Sequence, residues 1–400
     1  MFTELRCRRY RCFRDEQRLT LDRLTLVYGE NNAGKSALGR LLPWLAASHT
    51  PDRAGLALDA APLRGAGWAD IKWRGAATSS DDPHLVIGCT IDGSTRWTWH
   101  ADWSDAWRQP VVQRLELDAA AHVDLTWRLM RGEAQSATRA YVIDDRALAL
   151  TLDGVVPRPI EGTIDPRVVS VLRAHLARVT WLAARRSGPT REGLPRGRQG
   201  TLDGDGRGAE AIALADRELR GRASTWYEGV GAGALTVEAL GADLERLTLS
   251  PPGAALDVAF PDLGEGLQQV FPVLVALEQL RDRGGLLVIE EPESHLHPRL
   301  QASLVERMIE VLVARPDAQL LLETHSEVFL LAALEVAAAR LAGRVGLAWV
   351  ELGRDGACAV EPITLRPDGR PESDRLERAF DTMGVLRRRV LEARRGHLAG

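Results

Sequence analysis

Lysine is nearly absent from this chain: of 51 basic residues only Lys35 and Lys72 are lysine, and the rest are arginine. That bias reads as the mark of a GC-rich genome and carries no functional message, but it makes each lysine conspicuous. Cysteine is also scarce. Cys7, Cys12, Cys89 and Cys358 are scattered, and the Cys7/Cys12 pair has no second pair to complete it. A zinc site is therefore disfavoured, and a reducing compartment is the simple reading. No apolar run approaches the roughly eighteen residues of a membrane span, and the basic N-terminus has no signal-peptide core. These absences predict a soluble, cytoplasmic protein with no membrane partner. Neither internal repeats nor a long heptad array is present. With a net charge of −4 there is no global electrostatic case for nucleic acid. The arginine-rich stretches at 6–14 and 185–198 leave DNA open as a partner.

One of the two lysines sits in a motif. Residues 24–42 read LTLVYGENNAGKSALGRLL, in which Gly29, Gly34, Lys35 and Ser36 fit the phosphate-cradling pattern G-x-x-x-x-G-K-[ST]. Leu24 to Tyr28 supply the preceding strand, and Ser36 to Leu42 open a helix at the phosphate position. Backbone N–H groups of Gly29, Glu30, Asn31, Asn32, Ala33, Gly34, Lys35, Ser36 and Ala37 would ring the anion, helped by the positive end of the helix. A compact ammonium fits inside that ring where a planar guanidinium would not, which answers why lysine is written here. The plain alternative is a Gly-Asn turn before a capped helix.

The remaining chain divides by period. Residues 2–29 alternate as two or three strands, 50–84 reads as loop, and 85–99 reads as a hairpin about Asp92-Gly93. Further strands follow to about residue 153. The tryptophans concentrated between 68 and 127 are read as cover on an antiparallel sheet, against base-stacking platforms as the alternative. Helices are expected at 166–178 and 209–222, a Gly/Arg-rich loop at 187–208, and strands within 234–260. From residue 262 the pattern becomes α/β. A glycine turn leads into a helix that tolerates Pro272, then come the apolar strand LLVI, an amphipathic helix, and a second buried strand ending ETHS. A hairpin at 346–365 and a helix at 373–395 close the chain. Alternating buried strands and helices imply a parallel sheet with ligands at the carboxyl ends of its strands.

The polar clusters fall at those ends. LLVI delivers Glu290 and Glu291, two adjacent carboxylates that are costly unless a cation shares them. Beside a P-loop that cation is Mg²⁺ on the phosphates of ATP, with Ser36 and Glu290 as its ligands and Glu291 positioned to deprotonate the attacking water. His325 follows the next strand. A lone histidine there is often structural, but in this order of motifs it reads as a γ-phosphate contact. Gly264 and Gly266 bare the backbone at another helix start, a second anion cradle that one nucleotide does not need from one chain. A two-fold dimer would use it in trans, the alternative being a plain glycine-rich helix start.

Together GENNAGKS, DLGEGLQQ, LVIEEPESHLHP and ETHS resemble the Walker A, signature, Walker B with D-loop, and switch histidine of ABC-type ATPases of the RecF/SMC/OLD class. The EEPE-x-HLHP form resembles in particular the OLD-type ATPases of bacterial anti-phage defence systems such as Gabija, Septu and PARIS. The motif resemblance covers residues 1–45 and about 255–330. It implies an α/β P-loop NTPase fold of the ABC-ATPase head type: a mixed or parallel central sheet flanked by helices, with an additional N-terminal antiparallel β lobe. The expected parts are a first lobe at about 1–165, an insert to about 255, a second lobe to about 345, and the C-terminal hairpin and helix. The resemblance also implies catalytic roles for Lys35, Glu291 and His325, nucleotide contacts from Gly264, Gly266 and Gln268, and a homodimer that clamps two ATP molecules. Two positions depart from the pattern: Glu290 stands where aspartate is usual, and Gln268 where a signature serine is expected. Asp70 is a weak candidate for the Q-loop. His295 and His297 would lie in the D-loop at the dimer interface.

SMC-type coiled coils are missing, and residues 326–400 offer no carboxylate cluster for a nuclease beyond 372–374. An effector, nuclease or toxin, is therefore expected in another chain. The resulting expectation is an ATP-hydrolysing, ATP-dimerised ATPase that gates such an effector in phage defence or DNA maintenance. A nucleotide-gated scaffold or DNA clamp with negligible hydrolysis, a transporter ATPase subunit and a single-chain nuclease are the rivals.

Overall fold

A computed structural model of the protein describes residues 1–51, 55–73, 83–119, 122–127, 138–143, 146–159, 164–341, 344–366 and 371–376. The strand Leu24–Gly29 occupies an inner position of a seven-stranded sheet. In spatial order the strands are Val179–Leu182, Gly285–Glu290, Ala318–Glu323, Leu24–Gly29, Val345–Leu352, Cys358–Leu365 and Pro371–Glu372. The first five run parallel and the last two pair antiparallel at the edge. Continuous apolar runs suit such strands because both faces of the sheet are covered. Successive side chains then sort into opposite cores. Leu286 and Val288 pack with Trp44 and the tryptophan-bearing sheet, while Leu287 and Ile289 pack with Val273 and Leu277 of the helix Glu265–Arg283.

The second sheet has nine antiparallel strands, running from Val156–Pro157 back along the chain to Leu85–Ile91, then Phe2–Arg8 and Gln17–Thr20. The hairpin turn lies where the sequence places it, with Asp92 at φ 51° and Gly93 at φ 71°, the left-handed pair of a tight hairpin turn. Trp97 and Trp99 are fully buried and stacked at 6.2 Å, so they serve the core. A four-stranded sheet is built on the hairpin of Ala234–Ala239 and Leu244–Ser250.

Several local expectations shift. The helix expected over 209–222 is two, Ala209–Ala215 and Arg217–Gly229, because Asp216 is extended and its carboxylate caps Leu219 N–H at 2.9 Å. The strand Val179–Leu182 has too short an apolar run to announce itself, and it gains its place by pairing with Gly285–Glu290. Within 50–84, short helical turns form at Ala61–Leu63 and Trp68–Ile71. The expected helix at 373–395 lies outside the described residues beyond 376. No helix among the described residues is long and apolar enough to cross a membrane.

Candidate nucleotide site

The P-loop strand ends at Gly29, and the helix Lys35–Gly39 begins six residues later at Lys35. Both glycines of the turn are sterically required. Gly29 has φ 151°, and a Cβ there would stand 2.1 Å from the Val350 carbonyl oxygen. Gly34 has φ 96°, and its Cβ would meet Cys12 Sγ at 2.5 Å. Glu30, Asn31 and Asn32 are exposed at the tip, whereas Ala33 and Ala37 are buried beneath it. Lys35 is 4% exposed, and its Nζ donates to the carbonyls of Gly29 at 3.0 Å and Glu30 at 2.6 Å. Burial lowers the Lys35 pKa, opposed by the carboxylates of Glu323, Glu291 and Glu30.

Across from the loop, Glu290 and Glu323 end neighbouring strands in matched register. Ser36 Oγ donates to Glu323 Oε1 at 2.8 Å, so the P-loop hydroxyl reaches the carboxylate of the ETHS strand. Burial, then the nearby Glu290 charge, push Glu323 up to about 7 against the pull of Ser36, Lys35 and Arg40. Its Oε2 is buried and has no hydrogen-bond partner among the described residues. Glu290 is held instead by Arg40, Nε to Oε1 at 2.5 Å and Nη2 to Oε2 at 2.7 Å, by Arg64 Nη2 at 2.9 Å, and by Trp181 Nε1 at 2.9 Å. Arg40 also lies over the Trp181 ring at 5.8 Å.

Glu291 occupies a left-handed backbone position, φ 44°, held from three sides. Its N–H donates to the Glu323 carbonyl at 2.8 Å, its own carbonyl accepts Arg186 Nη2 at 3.1 Å, and its carboxylate accepts Ser294 Oγ at 3.0 Å. A non-glycine residue at positive φ persists only where its surroundings fix it. Arg186 does more than hold Glu291: its Nη1 donates to the Glu290 carbonyl at 2.8 Å, and its Nε to Gln269 in the helix Glu265–Arg283 at 3.1 Å. One buried guanidinium therefore ties that helix to the acidic strand end, and burial brings its pKa down to about 10. Glu293 accepts Thr324 Oγ1 and the His325 N–H, both at 2.7 Å. It thereby fixes the turn that presents His325 at the solvent edge. Desolvation and the Lys35 charge lower the His325 pKa, with Glu291 opposing, so the imidazole is neutral near pH 7.

Lys35, Ser36, Glu290, Glu291 and His325 are thus brought close to Glu323 and to one another. No hydrogen bond among the described residues joins the glycine turn at 264–268 to 29–37. Around Gly264 a Cβ would meet nothing within 4 Å, leaving the backbone open at the helix start. At Gly266 a Cβ would stand 2.4 Å from the His295 carbonyl, so that glycine is needed for packing. Gln268 turns inward, its Nε2 donating to the Leu263 carbonyl at 2.7 Å and the Pro261 carbonyl at 3.4 Å. Asp70 accepts the Gly67 N–H in its own helical turn. It is Arg64, from the same segment, that reaches the site. His297 caps the helix Pro298–Ala314, and His295 faces Glu265 at 3.6 Å. Among the described residues no cluster of three or more His, Cys, Asp or Glu could hold a metal by itself. The oxygen set of Ser36 and the half-used Glu323 carboxylate does suit a cation that takes its other ligands from phosphate and water. In the basic stretch 185–198, Arg186 is buried and Arg191 is paired with Asp262, which leaves fewer arginines for DNA.

Sequence reasoning missed Arg40, Arg64, Trp181, Arg186, Glu293 and Glu323. Only Glu323 carried a signal, as a second carboxylate at the end of a buried strand.

A family model described as "AAA domain, putative AbiEii toxin, Type IV TA system" matches residues 198–332, a segment that holds the glycine turn, both acidic strand ends and His325 but begins after the P-loop. No curated protein matches the chain. Among solved structures, the SmcHead bound to the C-winged helix domain of ScpA superposes with a TM-score of 0.51 at 10% identity, covering 92% of this chain and 98% of that one. The Smc head domain with an extended coiled coil bound to the C-terminal domain of ScpA, from Pyrococcus furiosus, gives 0.50 at 10% identity, covering 96% and 99%. At that identity the likeness speaks for fold alone: the chain has an α/β fold like that of Smc head domains.

Proposed function

We propose that this protein binds and hydrolyses ATP as an ABC-type ATPase, dimerises around two ATP molecules, and controls a separate effector, a nuclease or toxin, in anti-phage defence or DNA maintenance. The observation that carries the ATP site is the convergence of Ser36 and Lys35 with the strand-end acids, marked by the 2.8 Å bond from Ser36 to Glu323. Lys35 neutralises the β- and γ-phosphate oxygens by leaving its loop carbonyls for them. Residues 29–37 cradle the phosphates through backbone N–H groups. Glu291 takes the proton of the water attacking the γ-phosphorus, and neutral His325 offers a hydrogen bond to the γ-phosphate or that water. Mg²⁺, held by Ser36 and a strand-end carboxylate, would supply charge neutralisation on the transferred phosphoryl group. The open backbone at Gly264, at a second helix start in the same chain, supports a trans contact in a dimer. The effector reading rests on the EEPE-x-HLHP resemblance to OLD-type defence ATPases and on the toxin-system family model.

A phosphate-release assay with and without DNA tests the proposal. ATP-dependent release that Lys35→Ala abolishes, together with its nucleotide binding, supports it; binding that survives in Lys35→Ala refutes the site. One observation favours a second reading, a nucleotide-gated scaffold with negligible hydrolysis. Gln268 is spent on its own turn, which leaves the trans γ-phosphate contact without a side chain. Tight ATP binding with no phosphate release would select that reading.

A further inference from the structure

Glu290 and Glu323 lie side by side, yet their surroundings differ in kind. Both oxygens of Glu290 are taken: Arg40 Nε and Trp181 Nε1 donate to Oε1, and Arg40 and Arg64 Nη2 donate to Oε2. Two guanidinium groups against one carboxylate leave an excess of positive charge, so a divalent cation brought there meets net repulsion. Among the described residues Glu323 receives one hydrogen bond, from Ser36, and its Oε2 is buried without a partner. A buried carboxylate oxygen left unpaired is costly, and a hard cation is the partner such an oxygen takes.

We propose that Glu323, not Glu290, is the protein carboxylate facing the Mg²⁺ of a bound nucleoside triphosphate, while Glu290 is a positioning residue that anchors Arg40 and Arg64 beside the P-loop. This rests on the nucleotide-site reading above. It accounts for two features together. Glutamate at 290 has the extra methylene that reaches Arg40, four residues beyond Ser36. The P-loop hydroxyl, in turn, selects the ETHS strand over the LLVI strand.

The test uses the full chain, a non-hydrolysable ATP analogue, and Mn²⁺ as an EPR-visible substitute for Mg²⁺. Analogue affinity is measured in EDTA by calorimetry, and the Mn²⁺ affinity of the protein–analogue complex is measured by EPR. Glu323→Gln is expected to bind the analogue in EDTA like the unsubstituted protein but to weaken Mn²⁺ by about tenfold or more. Glu290→Gln is expected to keep the Mn²⁺ affinity while lowering the melting temperature. Unchanged Mn²⁺ affinity in Glu323→Gln, an equal loss in Glu290→Gln, or loss of analogue binding in EDTA by Glu323→Gln would each overturn the assignment. If Glu290→Gln does not fold, Glu323→Gln decides alone, with Glu323→Asp, which keeps the charge, expected to restore Mn²⁺ binding. An unsubstituted protein that fails to bind the analogue is a separate result: it refutes the nucleotide site and this assignment with it.

Discussion

Arg40 and Glu290, 250 residues apart in the chain, meet in a buried two-pronged ion pair with N–O distances of 2.5 and 2.7 Å. The pair joins the end of the P-loop helix to the end of the LLVI strand, so the two halves of the site share one electrostatic fastening. Breaking a buried pair leaves an uncompensated charge, whereas replacing both partners with apolar groups can be nearly neutral. Arg40→Met is therefore expected to cost about 3 kcal/mol of stability, at the low end for such pairs because Arg64 and Trp181 still contact Glu290. The double variant Arg40→Met/Glu290→Met should recover most of that loss. Urea denaturation checks both, and a double variant as unstable as the single one would mean that packing, not charge, is what Arg40 provides.

Glu291 is held by its backbone and Ser294, and no arginine among the described residues bonds its carboxylate. Glu291→Gln should retain ATP binding, slow phosphate release by about 10²- to 10⁴-fold, and accumulate as an ATP-bound dimer in light scattering. A phosphate-release rate equal to that of the unsubstituted protein would remove the general-base assignment.

Gly264 and Gly266 make opposite predictions although they are two residues apart. Gly266→Ala forces a methyl group against the His295 carbonyl and should cost about 1–3 kcal/mol, shifting the 291–297 turn and weakening ATP-induced dimerisation. Gly264→Ala meets open space and should melt like the parent. Equal melting temperatures for the two would show that the turn at 264–268 is looser than its packing implies.

Away from the site, Glu210 ties the 190 loop to the Leu244–Ser250 strand by accepting from Thr190 and from Leu247 N–H. Burial raises its pKa above the usual carboxylate value, with those hydrogen bonds opposing. The folded protein thus keeps this proton after the unfolded chain has lost it. The residue's contribution is largest below about pH 4.3 and declines as pH rises through its folded pKa. The stability difference between the parent and Glu210→Ala should accordingly be larger at pH 4 than at pH 7.5. A difference that grows with pH would reverse the assigned burial effect.

Much of the site was legible because its parts are local. A P-loop needs two glycines at fixed spacing, one lysine and one hydroxyl, and each requirement is met within eight consecutive residues. The buried strands announce themselves by apolar runs, and their acidic ends by contrast with those runs. The helix break at Asp216 and the strand Val179–Leu182 were hidden for the opposite reason. Each depends on a partner chosen in space, a cap in one case and a neighbouring strand in the other.

Read alone, the amino-acid order determined the glycine loop between strand and helix at 29–36, the parallel arrangement of the second half, and the placing of Glu290, Glu291 and His325 at strand ends. Only tertiary contact decided which acid faces Ser36, which acid is tied up by Arg40 and Arg64, and that Arg186 links the glycine-turn helix to Glu290 and Glu291. Charge assignments of that kind depend on distances of a few ångströms between segments hundreds of residues apart, and no spacing along the chain encodes them.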